Sequence, residues 1–344
     1  MGGKLMSIFD GLKNIFHKKP KYRRYLSCEY IEHGMNVDYD CVRLCCFNCH
    51  EGGGRQVLID KYNGETIDWK KFFKEKKQMR EPCAKGQIPE RCKGCFFLKE
   101  KEWDDEDYLN WIVFNHWTKC NCKCTYCFTD EAHDYFVTRD NFDMFPQIEA
   151  LCKNKQVRGG GEIGFGGGEP TILKEFEPLV NILLDNGCDN IRVHSSGIKY
   201  SKAIERGIRE GKLIVVISVD SSSKETYEKI KQVPTYDAVW KNIRDYAAAQ
   251  TVNLYKAKTK YIIMPGVNDS DEEYKRWIDM SYEAGVRSVI IDLEGVWYLR
   301  NKHNIPEHIY QMIEFGKDYA ESLGMREIEI YDRARDAMVH RYDR

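Results

Sequence analysis

Residues 111–128 read WIVFNHWTKCNCKCTYCF, an apolar run that turns into a cysteine-rich loop. Within it, Cys120, Cys124 and Cys127 have the spacing C-x3-C-x2-C. Protein thiolates normally bind one iron each in a four-iron cluster, so three cysteines leave one iron open to a ligand that is not protein. Using Cys122 would break this spacing, and we therefore expect its side chain to point away.

A second motif follows the next apolar run, where residues 166–171 read GGGEPT. Glycines let the chain approach a ligand without a Cβ in the way. Glu169 supplies a carboxylate that accepts a charge-assisted hydrogen bond. A zinc loop is the alternative for the cysteines, but structural zinc needs four ligands and has no use for a Gly-Gly-Glu partner.

Together the two motifs resemble those of the radical S-adenosylmethionine (radical SAM) superfamily, C-x3-C-x-aromatic-C followed by Gly-Gly-Glu-Pro. The resemblance implies a [4Fe-4S] cluster on Cys120, Cys124 and Cys127, with the amino and carboxylate groups of S-adenosylmethionine on the open iron. It also implies reductive cleavage of S-adenosylmethionine to a 5′-deoxyadenosyl radical, which abstracts hydrogen from a substrate. In such enzymes the cofactors carry the chemistry while the protein orients and seals them.

The resemblance also implies a set of cofactor-binding residues. Tyr126 takes the family's aromatic position beside the adenine, and Ser218 and Asp220 fit its ribose-contacting position. A Ser-x-Asp after a strand is equally typical of a helix N-cap. Lys231 stands near the place where several relatives carry an arginine for the carboxylate, but lysine lacks the bidentate fork. The set is Tyr126, Gly167, Gly168, Glu169, Pro170, Ser196, Ser218, Asp220 and Lys231.

From residue 110 onward, short apolar segments alternate with helical ones. We predict strands at 111–117, 162–166, 190–195, 213–219, 259–264 and 286–292, and helices at 172–186, 201–210, 223–231, 236–249, 270–284 and 305–323. Such alternation predicts an α/β fold with a parallel sheet and crossover helices. It suits the partial (β/α)6 TIM-like barrel that the resemblance implies. In such barrels the chemistry lies at the C-terminal ends of the strands.

Substrate-facing residues are therefore expected at the ends of the late strands. Asp292 and Glu294 are our catalytic candidates, and Trp297, Tyr298 and His194 lie in similar positions. Asp292 and Glu294 have an alternative role as a buried hydrogen-bonded pair or a helix cap. The alternative for His194 is a core histidine.

Eight more cysteines lie between residues 25 and 100, in clusters typical of metal ligation. They predict one or two auxiliary iron–sulfur clusters or a structural zinc site, and ordinary cysteines are the alternative. The segment loosely resembles the SPASM and twitch modules of radical SAM enzymes, although those usually follow the barrel. Cys28 and Cys41 with Cys92 and Cys95 are one partition among several. The eight are Cys28, Cys41, Cys45, Cys46, Cys49, Cys83, Cys92 and Cys95.

The whole chain of 344 residues has a formal net charge of −1. No global field favours nucleic acid, and no window approaches the ~18 uncharged apolar residues of a membrane span. Without an export signal, the clustered cysteines predict a reducing cytoplasm. We expect four parts: a basic amphipathic leader at 1–24, a loop-rich cysteine module organised by metal at 25–100, the barrel at 110–330 and a tail at 331–344.

The predicted activity is oxidation, cross-linking or another modification of a peptide, protein or carbohydrate substrate. The resemblance implies a reductant such as flavodoxin or ferredoxin as a partner. Two alternatives stay open. One is a sulfur-inserting or redox-neutral radical SAM enzyme, such as an epimerase, and the other is a non-catalytic iron–sulfur scaffold or redox sensor.

Overall fold

The computed structural model of the protein describes residues 21–38, 41–45, 57–59, 67–127 and 143–342. Its strands are β1 (Arg23–Ser27), β2 (Gly34–Asp38), β3 (Val42–Arg43), β4 (Val57–Ile59), β5 (Lys99–Trp103), β6 (Trp111–Asn115), β7 (Ile163–Phe165), β8 (Ile191–Ser195), β9 (Leu213–Ser218), β10 (Ala257–Ile263), β11 (Ser288–Leu293) and β12 (Glu329–Ile330). Its helices are α1 (Glu29–His33), α2 (Trp69–Cys83), α3 (Phe145–Lys153), α4 (Phe176–Asp185), α5 (Lys202–Arg209), α6 (Lys224–Lys231), α7 (Tyr236–Ala248), α8 (Asp271–Glu283), α9 (Gly295–Asn301), α10 (Glu307–Ser322) and α11 (Asp332–Tyr342). Most of the leader expected at 1–24 lies outside the described residues, as do Cys46 and Cys49.

One large sheet forms the barrel, with the strand order β12-β11-β10-β9-β8-β7-β6-β2-β3-β4. Every neighbouring pair from β2–β6 to β11–β12 is parallel. The six strands predicted from the sequence are β6 to β11. The six predicted helices are α4 to α8 and α10. The α/β partial barrel is therefore confirmed.

Side-chain alternation gives the sheet an apolar outer face and an inner face on which polar side chains lie around a small apolar cluster of Ile214, Val216 and Ile290. On β10, Tyr261 and Ile263 pack into the main core, whereas Lys258 and Lys260 face the opposite way because successive side chains alternate along a strand. We call the space bounded by the inner face the lumen. The polar side chains that define it are Arg192, His194, Lys258, Lys260, Asp292, Glu329 and Tyr331.

Serine caps set the start of three crossover helices. Ser201, Ser223 and Ser270 each accept a hydrogen bond from the backbone N–H three residues on, which satisfies a donor that the helix leaves unpaired. Since α6 is capped by Ser223, the helix-cap alternative for Ser218 and Asp220 is not what the structure shows.

The N-terminal part joins the barrel sheet, which the sequence did not lead us to expect. Strand β2 pairs in parallel with β6, and Phe72 of α2 is buried in the same core as Ile31 and Met35. A hydrophobic core thus organises much of the described part of 25–100, where loops organised by metal were expected. The proposed boundary near residue 110 stays a prediction.

The described part of the C-terminal segment is also packed against the barrel. Strand β12 extends the sheet beside β11, and Ala334 and Ala337 of α11 are fully buried. The described part of the expected tail at 331–344 thus packs against the barrel directly after β12, and its boundary at residue 331 stays a prediction. None of the helices in the described ranges has the length and apolar character to cross a membrane.

Candidate active site

The cysteine loop follows β6, and the glycine motif follows β7 and packs directly against it. Gly168 donates its backbone N–H to the Trp117 carbonyl at 3.1 Å, and Glu169 donates to that of Lys119 at 2.9 Å. A Cβ on Gly168 would lie 2.2 Å from the Lys119 oxygen, and Gly167 has a φ of +80°. The glycines are therefore needed so that this turn can support the backbone leading to Cys120.

The thiols of the loop interact with one another. Cys122 hydrogen-bonds to both Cys120 and Cys124, and this contact is the main cause that lowers the pKa of each of those two thiols. The pKa of Cys124 falls to about 6, helped by the nearby charge of Lys231. Contrary to expectation, Cys122 does not point away but lies between two of the predicted ligands.

The loop fits a four-iron cluster better than a single metal ion. No group of three or more His, Cys, Asp or Glu side chains in the described ranges is arranged to hold one ion. A tetrahedral zinc site needs such convergence, whereas a cluster binds each thiolate through a different iron. Cys120, Cys124 and Cys127 therefore suit a [4Fe-4S] cluster.

Glu169 is buried at the junction of β7 and β8, with 1% of its surface exposed. Its carboxylate accepts hydrogen bonds from Thr171 Oγ1 at 2.6 Å, Ser195 Oγ at 3.0 Å and the Ser196 backbone N–H at 2.5 Å. Ser196 Oγ in turn donates to Asn121 of the cysteine loop at 3.0 Å. The predicted bond from Glu169 to the ammonium of S-adenosylmethionine stays a prediction.

Pro170 and Ser218 lie after β7 and at the end of β9, and their predicted contacts with the cofactor stay predictions. Pro170 is buried and begins a single 3₁₀ turn, Pro170–Ile172, directly after Glu169. Ser218 ends β9 and is half-buried. Both therefore lie at the C-terminal edge of the sheet, where the site is expected.

Tyr126, Asp220 and Lys231 form a buried triangle beneath the cysteine loop. The Tyr126 hydroxyl donates to Asp220 Oδ2 at 2.6 Å, and the Lys231 ammonium donates to the Tyr126 oxygen at 2.7 Å and also to Asp220. Burial alone would lower the pKa of Lys231, but the Asp220 carboxylate holds it well above its usual range. Lys231 thus provides a permanent charge to this triangle, and its predicted contact with the cofactor carboxylate stays a prediction.

The backbone reinforces this triangle. Lys123 and Thr125 of the loop donate their N–H groups to the carbonyls of Lys231 and Ile230, both at 3.0 Å. Asn268, in the turn after β10, donates to the Asp220 carbonyl at 2.9 Å. Asn268 belongs to the sequence PGVND at 265–269, and its contact positions Asp220 from the turn after β10.

A cavity of about 370 Å³ opens beside the cysteine loop. Thr125, Tyr126, Cys127, Met264, Pro265, Val267, Glu294, Val296 and Trp297 line it. Its aromatic and aliphatic walls suit a flat heteroaromatic ring such as adenine. Glu294 accepts hydrogen bonds from the N–H groups of Val296 and Trp297 at 2.8 and 2.5 Å. The helix-cap alternative for Glu294 is therefore what the structure shows, on the wall of this cavity.

Asp292 lies at the mouth of the lumen between two cations. Lys260 donates to its Oδ2 at 2.9 Å, and Arg333 Nη1 lies 3.5 Å from the same oxygen. The alternative of an Asp292–Glu294 hydrogen-bonded pair is not seen. Lys260 and Arg333 were missed because a lysine inside an apolar strand was treated as ordinary strand sequence and Arg333 was assigned to a tail.

His194 faces the lumen deeper in the barrel. Burial, followed by the charges of Lys260 and Arg192, lowers its pKa to about 3. The imidazole is therefore neutral at physiological pH and is not a structural cation. Tyr331 lies beside it, with ring centroids 6.5 Å apart. Tyr298 is instead buried against Asp336, to which its hydroxyl donates a hydrogen bond.

The upstream cysteines lie in different environments. Cys28, Cys41 and Cys83 are buried, whereas Cys45, Cys92 and Cys95 are partly exposed. Cys83 lies against Ser27 and Glu32. Lys76 is buried near Cys28 and Cys45, and burial is the main cause that lowers its pKa to about 7.

Residues 114–278 match the family model described as Radical SAM superfamily. This match, the partial barrel and the two motifs identify residues 114–278 as a radical SAM domain, the kind of domain that works with a [4Fe-4S] cluster and S-adenosylmethionine.

Two relatives and one solved structure show the range of similarity. The chain is 26% identical over 184 residues to GTP 3',8-cyclase of Clostridium botulinum (strain Okra / Type B1), covering 53% of this chain and 56% of the relative. It is 28% identical over 204 residues to molybdenum cofactor biosynthesis protein 1 of Dictyostelium discoideum, covering 55% and 31%. The chain thus spans about half or less of the length of these relatives. The structure of Streptococcus suis SuiB bound to precursor peptide SuiA matches with a TM-score of 0.51 at 13% identity over 83% of this chain and 58% of that chain, which supports the fold.

Proposed function

We propose that the protein binds S-adenosylmethionine in the cavity beside the cysteine loop and abstracts hydrogen from a substrate held in the lumen. The observation that carries the proposal is the shared wall of the cavity. Thr125 to Cys127 of the cysteine loop face Met264 and Glu294, which follow the ends of β10 and β11. When bound, the cluster and S-adenosylmethionine supply one-electron cleavage of a C–S bond and the radical that abstracts hydrogen.

The residues of the chain would orient the reactants and exclude water. The triangle of Tyr126, Asp220 and Lys231 fixes the position of the cysteine loop. The ion pair between Lys231 and Asp220 is buried, and its two opposite charges add no net charge beside the cavity. Glu169 holds the turn that supports Cys120, and its lone pairs also suit an ammonium donor. In these roles the residues hold the reactants in place, and correct positioning is the main contribution that a protein makes to a radical reaction.

The mouth of the lumen favours a polar substrate that carries a negative charge. Lys260 and Arg333 both contact the single carboxylate of Asp292, so these three groups together bear one net positive charge. Arg333 is 43% exposed and lies against Gly295, near the cavity. Of the predicted substrate classes, a carbohydrate bearing phosphate fits this mouth better than a neutral peptide. A nucleotide fits equally, as the name of the GTP 3',8-cyclase relatives suggests.

The proposed electron donor and cellular compartment follow from the needs of an iron–sulfur cluster. A single-electron donor such as flavodoxin or ferredoxin would reduce the cluster. A reducing cytoplasm would keep the clustered thiols available as ligands. Oxidation, cross-linking or another modification of the substrate remains our proposed outcome, with sulfur insertion and redox-neutral rearrangement as the alternatives.

The test is formation of 5′-deoxyadenosine by the anaerobically reconstituted protein with dithionite and S-adenosylmethionine. The Cys124→Ala variant should lose product formation, whereas Cys152→Ala, a buried thiol outside the site, should retain it. Product from the Cys124 variant would overturn the ligand assignment. If the wild type forms no 5′-deoxyadenosine, and if added S-adenosylmethionine does not change the EPR signal of its reduced cluster, an iron–sulfur scaffold or redox sensor is favoured instead.

A further inference from the structure

Arg333 connects the mouth of the lumen to the wall of the cavity beside the cysteine loop. It lies in the first turn of α11, and its Nη1 is 3.5 Å from Asp292 Oδ2. The same guanidinium lies over Gly295, where an added Cβ would be 3.0 Å from Nε and 3.3 Å from Nη2. One side chain therefore contacts both a carboxylate of the lumen and the first residue of α9.

Gly295 is not required by the backbone conformation at this position. Its φ does not lie in the left-handed region, and inside a helix glycine is less favourable than alanine. The missing Cβ instead leaves room for the guanidinium of Arg333. We therefore attribute this glycine to the contact with Arg333.

Helix α9 forms part of the cavity wall. Val296 and Trp297 line the cavity, and the carboxylate of Glu294 accepts hydrogen bonds from their N–H groups. A second contact joins α9 to α11, because the hydroxyl of the buried Tyr298 donates a hydrogen bond to Asp336. Contacts from α11 thus help to position this wall.

The backbone of α11 is fixed, whereas the side chain of Arg333 has donors that are not used. Ala334 and Ala337 are fully buried against the barrel. Asp292 already accepts a hydrogen bond from Lys260 at 2.9 Å. Among the side chains that the structure describes, Arg333 has no ionic partner besides Asp292 and donates no hydrogen bond. Its guanidinium therefore presents unpaired N–H donors at the mouth of the lumen.

We propose that Arg333 binds a phosphate group of the substrate with these donors and thereby strengthens the binding of S-adenosylmethionine in the cavity. A guanidinium matches phosphate through two parallel N–H···O bonds. Bound phosphate would hold the guanidinium against Gly295, so the wall at Val296 and Trp297 is positioned before the second ligand arrives, which lowers the cost of ordering it.

The coupling is reciprocal. Bound S-adenosylmethionine would strengthen phosphate binding by the same factor, since the two affinities are thermodynamically linked. The inference rests on the proposed function, which assigns one ligand to the lumen and the other to the cavity. Arg333 is accordingly a positioning residue for the cofactor, and it acts through α9.

The test measures binding only and needs no radical chemistry. Isothermal titration calorimetry gives the Kd of S-adenosylmethionine for anaerobic protein with an oxidised cluster, in pyrophosphate or in potassium chloride of equal ionic strength. Pyrophosphate should lower this Kd about fivefold or more in the wild type, and Arg333→Gln should abolish the difference. Arg300→Gln removes an exposed arginine from α9. It is the matched control and should retain the full effect.

Gly295→Ala separates anion binding from the coupling. Its Cβ would displace the guanidinium from α9 but leave every N–H donor of Arg333 in place, and alanine favours the helix. Titration with pyrophosphate alone should show binding, while the Kd of S-adenosylmethionine should no longer depend on pyrophosphate.

Two kinds of failure can be distinguished in these titrations. If S-adenosylmethionine binds to the wild type but pyrophosphate leaves its Kd unchanged, the coupling is overturned and the proposed function stands. An undiminished effect of pyrophosphate in Arg333→Gln or in Gly295→Ala would also overturn the coupling. If S-adenosylmethionine does not bind to the wild type in either buffer, the proposed function fails and the coupling fails with it.

Discussion

At the scale of single residues, the buried ion pair of Lys231 and Asp220 positions the cysteine loop through Tyr126. Asp220 is fully buried, has a φ of +60° and accepts the Ile262 N–H at 2.8 Å through Oδ1. Its other oxygen receives Tyr126 and Lys231. The residue before the last cysteine is thus connected to two strand ends, which limits the positions that the thiol of Cys127 can adopt.

Lys231→Met should destabilise the protein because it leaves the Asp220 carboxylate buried and unpaired. We expect a loss of about 3–5 kcal/mol in the free energy of unfolding. Adding Asp220→Asn should recover part of it, since the two changes act on one interaction. Denaturant unfolding of metal-free protein measures the three variants against wild type. Additive losses in the double variant would contradict a direct pairing.

At the scale of elements, the alternation of strands and helices could be predicted because the outer faces of β6 to β11 are apolar and each helix packs on them. Strand β2 could not, since its partner β6 lies far along the chain and parallel pairing leaves no local signal. The polar residues of the lumen could not be predicted from the sequence either. Lys258 and Lys260 interrupt an apolar strand, and their meaning depends on Asp292 and Glu329 from other strands.

The glycine motif after β7 packs closely against the backbone of the cysteine loop, and this contact can be tested by substitution. Gly168→Ala would place a Cβ 2.2 Å from the Lys119 oxygen, whereas at Gly164 the nearest atom lies 3.9 Å away. We expect Gly168→Ala to cost about 1–3 kcal/mol through overpacking and to reduce iron after reconstitution. Gly164→Ala is the matched control and should be near wild type in both measurements. Equal iron contents would show that the loop does not depend on this contact.

At the scale of the whole molecule, the two motifs predict the centre of the candidate site but not its outer boundary. Each motif is a short continuous segment, at residues 120–127 and 167–169, so the spacing of its residues can be recognised in the sequence. Arg333 and Tyr331 come from the opposite end of the chain and reach the lumen because β12 extends the sheet. Such long-range closure is encoded in packing, which single-sequence patterns do not display.

Buried histidines give the whole fold a pH dependence with a definite sign. His33 is 3% exposed and stacks on Tyr108 with centroids 4.0 Å apart. Burial, then the charges of Lys76 and Arg80, lowers its pKa to about 3. The unfolded chain binds a proton below about pH 6.5 whereas the folded chain does not. The stabilisation is therefore complete above about pH 6.5 and declines as the pH falls toward 3.

Between about pH 6.5 and 5 most carboxylates stay ionised, so the slope in this window reports mainly on histidines and on the Cys124 thiol, whose pKa is about 6 in the folded protein. One such group contributes up to about 1.4 kcal/mol per pH unit to the free energy of unfolding. His33→Gln should flatten the slope by much of that amount, while His308→Gln at an exposed position should leave it unchanged. Urea unfolding of metal-free protein at several pH values measures it. Since His194 is neutralised in the same way, some slope should survive in His33→Gln, and an unchanged slope would mean that His33 gains its proton without opening the fold.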